Sequence, residues 1–145
     1  MSEVVRGVTE NRPAHELRRC LAELCARDGR VQLAYLFGSG ARDRLRFESD
    51  LDLGVASSSG PLAPAALLEI AERIVDRTGR AADVIDLAVA PIPLLRTALI
   101  RGRLLLCTDR SLVLALRRRL VYESADFLPY QRRLLEERRR RWIAT

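Results

Sequence analysis

The sequence has no lysine, a single histidine and only three cysteines among its 145 residues. His15 alone excludes a multi-histidine metal centre. Cys20, Cys25 and Cys107 lack C-x-x-C spacing, which argues against both a zinc ribbon and a disulfide framework. No apolar run approaches the roughly 20 residues of a membrane span. The opening residues, Met-Ser-Glu-Val-Val-Arg, lack a basic stretch followed by an apolar one, so a cytoplasmic protein with reduced thiols is expected. With only 6 Pro and 8 Gly against 48% hydrophobic and 30% charged residues, the chain reads as one globular domain with a real core.

The net charge of +6 is unevenly placed. Residues 1–109 carry 15 Arg and 15 acidic groups, whereas residues 110–145 carry 10 Arg and 4 acidic groups. The whole excess sits in the last quarter. It reads either as a solvated helix face or as a docking surface for an acidic partner or nucleic acid. Arg138–Arg141 has no interleaved aromatics on which bases could stack, so direct nucleic-acid binding is not expected. That every basic residue is arginine fits coding bias and carries no functional reading.

Local patterns place the elements. Pro13 and the stripe Leu17, Cys20, Leu21, Leu24 and Cys25 predict a helix over 14–27 ended by Gly29, with the two cysteines in the core and His15 at the surface. Residues 31–37 read as a strand, broken by Gly38-Ser39-Gly40, with a short helix over 41–46. Residues 50–56 alternate strictly and read as a second strand. A turn-rich loop at 57–61 leads to an amphipathic helix over 64–78, stopped by Gly79. A third strand over 82–89, a helix from Pro91 to about Arg101 and a fourth strand over 103–107 follow. Asp109 is suited to cap a helix running to about Phe127, and Pro129 separates it from a last helix. Tyr122, Tyr130 and Trp142 read as packing residues. The fold class is α/β, a small sheet flanked by helices with a C-terminal helical tail.

One constellation carries chemistry. Gly38-Ser39 follows a strand, ten residues intervene, and Asp50-Leu51-Asp52 opens the next strand. Alternation puts both carboxylates on one face, about 7 Å apart along the backbone. Such a pair suits Mg²⁺, which takes oxygen ligands and shares them with substrate phosphates. Gly38 allows close backbone approach, and Ser39 offers a hydroxyl and an amide at a helix start, where anions are favoured. A phosphate seat beside a metal seat points to phosphoryl or nucleotidyl transfer. The bland alternative is that both aspartates cap a loop and face solvent. A third carboxylate could come from Asp83 or Asp86, which the period of two places on opposite faces, and the pattern does not choose between them.

The stretch LFGSGARDRLRFESDLDLGV resembles the nucleotidyltransferase signature of the DNA polymerase β superfamily, G-S-x-A-R-G followed by S-D-x-D-L. In size and helical tail the chain is similar to the minimal, MNT-type nucleotidyltransferases. The resemblance implies a mixed sheet of the nucleotidyltransferase type and a catalytic domain over 1–108. It also implies a tail over 109–145, packed on the same domain, as the partner-docking region. Gly38, Ser39 and Arg42 would bind nucleotide, and Asp50, Asp52 and Asp83 would be the catalytic, metal-holding carboxylates for two Mg²⁺ ions. Gly79-Arg80 ahead of Asp83 matches the family's third-carboxylate pattern, with Asp86 as second choice. Asp43 departs from it, standing where the family has glycine; it would repel a triphosphate unless Arg44 and Arg46 offset it.

Proteins of this kind are commonly antitoxin partners of HEPN-type ribonuclease toxins, and some move AMP from ATP to a toxin tyrosine. The antibiotic-modifying relatives carry an added domain for which this chain has no residues to spare. The resemblance therefore implies a macromolecular acceptor, a hetero-oligomer with a HEPN-type toxin, and ATP as substrate. The competing expectation is a non-catalytic module that neutralises its partner by docking alone. A weaker idea has Arg117–Arg119 and Arg138–Arg141 binding nucleic acid.

Overall fold

The computed structural model describes residues 14–38 and 50–143. Helix α1 (Ala14–Arg27) leads into β1 (Leu33–Phe37), β2 (Leu51–Ala56), α2 (Pro64–Thr78) and β3 (Ala82–Asp86). Then come α3 (Ile92–Arg96), one π-helical turn (Thr97–Arg101), β4 (Arg103–Cys107) and α4 (Arg110–Ile143). The strands form one mixed sheet in the order β3-β2-β1-β4. β1 runs antiparallel to both β2 and β4, while β2 and β3 are parallel.

Every residue of β1 is buried, as its central place requires. Its alternate side chains feed two cores. Ala34 and Leu36 join Leu51, Leu53, Val55 and Val84 beneath α1 and α2. On the other face Leu33, Tyr35 and Phe37 join Ala56, Leu87, Leu95, Ala98 and Leu116 beneath α3, the π turn and α4. Burying side chains of this size contributes roughly 1.5–3 kcal/mol each.

The helices over 14–27 and 64–78 begin and end where periodicity places them, and Cys20 and Cys25 are buried. Burial, with the Asp28 charge adding to it, pushes the Cys25 thiol up to about 12. Gly79 takes φ 71° and closes α2 with its amide on the Val75 carbonyl at 2.8 Å. Asp109 caps α4: its Oδ1 accepts from the Ser111 amide at 3.0 Å, and its Oδ2 accepts from the Ser58 hydroxyl at 2.7 Å. These hydrogen bonds, Ser111 foremost, hold its carboxyl below the ordinary range.

Four expectations need correction. Gly29 is not a left-handed cap, since positive φ among the described residues is confined to Gly38, Gly60 and Gly79. The end of α1 is instead organised by buried Asp28, which accepts from the Arg30 amide and guanidinium and pairs with Arg73. The third strand stops at Asp86 rather than 89, because the Asp86 carboxylate takes the Ala88 amide at 2.9 Å and turns the chain. The tail is one helix through Pro129, not two. A proline removes one amide donor, and intact turns on both sides can carry that loss. Tyr122 and Trp142 are exposed rather than packed. The predicted helix over 41–46 and the Tyr130 side chain lie outside what is described.

Candidate active site

The end of β1, the start of β2 and the start of β3 meet at one end of the sheet, because β1 and β2 are antiparallel and β2 and β3 parallel. Phe37 pairs with Asp52, and Asp52 pairs with Asp83. Registered neighbours point to the same face and stand about 4.8 Å apart across the sheet. Asp52 and Asp83 are thus adjacent, on the face of Phe37 and Ile85, and alternation from Asp52 carries Asp50 to that face. Asp50 and Asp83 are exposed and Asp52 is half-buried.

The Asp52 carboxyl is held above the ordinary aspartate range, first by burial and then by the charges of Asp83 and Asp50. Such crowding of like charge is relieved by a cation. Among the described residues, no three or more His, Cys, Asp or Glu side chains converge tightly enough to hold a metal ion unaided. A cation held by one or two carboxylates plus substrate phosphates, as Mg²⁺ usually is, suits the adjacent Asp52 and Asp83.

Gly38 stands directly over Asp52. Its φ is 66°, and a Cβ there would run into Oδ2 of Asp52. The backbone angle favours glycine, and a larger residue would also push the Asp52 carboxylate aside. Two residues beyond Asp52, Gly54 is also closely covered: a Cβ would lie 2.6 Å from a Leu87 methyl.

Asp86, the other candidate on β3, faces the opposite core. It is buried, and its two oxygens accept from the Leu62 amide at 2.7 Å and the Ala88 amide at 2.9 Å. Those bonds make it a loop anchor. Ser39 and Arg42, with Asp43, Arg44 and Arg46, lie outside the described residues.

The family model of the polymerase beta nucleotidyltransferases matches residues 20–111, more than half of the chain. The chain belongs to that family. Its nucleotidyltransferase fold is shared with solved structures at low sequence identity. A chain of a toxin–antitoxin crystal structure with AMP-PNP superposes with a TM-score of 0.69 at 22% identity, over 83% of this chain and 96% of that one. A chain from a tri-AMPylated Shewanella oneidensis HEPN toxin in complex with MNT antitoxin gives 0.66 at 21% identity, over 86% and 97%. A chain of the toxin–antitoxin MntA-HepT gives 0.65 at 19% identity, over 85% and 97%. No curated protein matches by sequence.

Sequence reasoning missed one residue that supports the nucleotidyltransferase domain. It grouped Arg119 with Arg117 and Arg118 as a basic patch, but Arg119 turns inward. Its guanidinium donates to the Leu87 carbonyl at 3.0 Å, the Ala88 carbonyl at 3.1 Å and the Ala90 carbonyl. The signal was its helical phase: Arg119 lies three residues after buried Leu116 and one before half-buried Leu120.

Proposed function

We propose that this chain is a Mg²⁺-dependent nucleotidyltransferase acting in the cytoplasm as an antitoxin, moving AMP from ATP to a tyrosine hydroxyl of a HEPN-type ribonuclease toxin. The carrying observation is the register that sets Asp83 beside Asp52, with Asp50 on the same face and Gly38 above. The solved relatives support the choice of partner and nucleotide, since one is a tri-AMPylated HEPN toxin with its MNT antitoxin and another holds AMP-PNP.

In this reading Asp50 and Asp52 would hold Mg²⁺ and Asp83 would complete one metal position. The chemistry such an ion would supply is positive charge against the triphosphate. Gly38 and Ser39 receive the phosphates, with Arg42 as their positive partner. A tyrosine hydroxyl, with a reference pKa of ~10, is a poor nucleophile until a base takes its proton. Asp83, exposed at the edge of the site, takes it. The tyrosine oxygen bonds to the α-phosphorus, the bond to the bridging oxygen breaks, and pyrophosphate departs.

The test supplies purified protein with Mg²⁺, a HEPN-type toxin, and ATP labelled at either the α- or the γ-phosphate. The α-label should appear on a toxin tyrosine, and chelation of Mg²⁺ or Asp50→Asn with Asp52→Asn should abolish it. Transfer of the γ-label, or transfer surviving the double variant, overturns the mechanism. Asp43 in the signature favours a second reading, neutralisation by docking alone. Under that reading the toxin stays inhibited without Mg²⁺ and by the double variant.

A further inference from the structure

Helix α4 runs well past the body of the domain. Leu112, Val113, Leu116 and Leu120 pack into the core on one side, whereas all residues from 132 to 143 are exposed. On the solvent side an apolar residue recurs every seven positions. Leu114 is 63% exposed, Val121 65%, Leu135 64% and Trp142 86%, and the sequence has leucine at the intervening position, 128. Four residues on from Leu114, Leu128 and Leu135 stand Arg118, Arg132 and Arg139, all exposed, and Ala125 follows Val121 in the same phase. Spacings of seven and four on one helix describe the seam of a coiled coil, with one position apolar and the other mostly arginine. Where side chains are described at its start, Ser111, Leu114, Ala115, Arg117, Arg118, Val121 and Tyr122 line an open groove.

We propose that this seam is a docking surface for a helix of a different protein, one that presents apolar residues at one seam position and carboxylates at the other. A second copy is disfavoured, because its own arginines would meet Arg118, Arg132 and Arg139 in parallel pairing and be set against the apolar row in antiparallel pairing. No acidic residue lies between Arg110 and Tyr122 to neutralise the groove from within. An acidic partner helix satisfies both halves of the pattern, burying the apolar row and pairing with the arginines. Nucleic acid would use the arginines and leave the apolar row wet. The proposal deepens the function above by naming how the acceptor protein is held, and it rests on that reading only in taking the partner to be the acceptor.

The probe is a synthetic helix about four heptads long with leucine at one seam position and glutamate at the other, set against a counterpart with lysine for glutamate. Binding to the full chain is read by fluorescence anisotropy, and a fluorescent ATP analogue reports nucleotide binding on the same samples. The glutamate helix should bind and the lysine helix should not. Val121→Asp with Leu135→Asp should weaken binding at least about tenfold, and Arg118→Glu with Arg132→Glu should reverse the preference between peptides. These side chains are exposed, so circular dichroism should stay unchanged and nucleotide binding intact. Asp50→Asn with Asp52→Asn should do the opposite, losing nucleotide and keeping the peptide. Equal binding of both peptides, or none, overturns the proposal while leaving the catalytic reading standing. So does sedimentation as a dimer that the Val121 and Leu135 changes dissolve. Binding of single-stranded RNA that needs Arg118 and Arg132 but ignores Val121 assigns the face to nucleic acid instead. Peptide binding without nucleotide binding leaves the docking surface standing and removes the enzyme.

Discussion

On β3 the Asp86 carboxylate receives the Leu62 and Ala88 amides in the core, while Asp83, three residues earlier, stands exposed beside Asp52. Two aspartates of equal chemistry are thereby given different surroundings, and substitution should separate them. Asp86→Ala leaves two part-buried amides without their acceptor, at a cost of roughly 2–4 kcal/mol. Chemical denaturation should show that loss. Asp83→Asn removes a charge from an exposed position that also raises the Asp52 carboxyl, so the fold should be unharmed. If Asp83 takes the tyrosine proton, transfer should fall about 10²–10⁴-fold at unchanged melting temperature. A stable Asp86→Ala variant, or full transfer by Asp83→Asn, would reverse the two assignments.

Between elements, two arginine clamps hold loops that the strands leave behind. Arg119 ties α4 to the three carbonyls after β3, and the same turn carries Leu87 onto Gly54, two residues from Asp52. Arg119→Met keeps the apolar stem and removes the donors, so it should cost about 1.5–3 kcal/mol. Hydrogen exchange should quicken over 87–90 before it does elsewhere. On the opposite face of the sheet, Asp28 joins α1 to α2 through Arg30, Arg73 and the Arg30–Glu69 bridge. The side-chain hydrogen bonds from Arg30 hold the Asp28 carboxyl below the ordinary range. In the unfolded chain that carboxyl titrates near ~3.9. Its contribution is therefore full above that value and is lost as pH falls through the lower, folded pKa. Asp28→Asn should lower stability at pH 7 and flatten the acid limb of a stability–pH curve. Parallel curves for the two proteins would show that the cluster does not couple folding to pH.

At the scale of the molecule, α4 divides into a part that is built into the domain and a part that extends from it. Leu116 is buried and Arg119 is clamped, but residues 132–143 are all exposed. A chain ending at Gln131 should thus melt within about 2 °C of the full chain, since exposed residues seldom carry more than about 0.5 kcal/mol. It should still bind nucleotide, and it should lose the acidic helix. A large drop in melting temperature would show that the tail stabilises the fold.

What the sequence determined by itself was whatever local chemistry decides. Helical periodicity and proline set α1 and α2, Gly79 and Asp109 end and start helices through their own backbone and side chain, and Gly38 with Asp50 and Asp52 is legible as spacing. Pro129 misled for the same reason, since a local rule took one lost hydrogen bond for a break. Gly29 did too, because the helix end it was expected to close is held by the Asp28 side chain, which takes the Arg30 amide and guanidinium and also pairs with Arg73 on α2. Which β3 carboxylate stands next to Asp52 is set by long-range pairing. Both faces of β3 adjoin a core, so alternation left the choice open, and strand register, a long-range property, made it. The tertiary structure likewise turned Arg119 inward and left its neighbours Arg117 and Arg118 exposed. Packing fixes the phase of a helix against the body, and charge alone carries no phase.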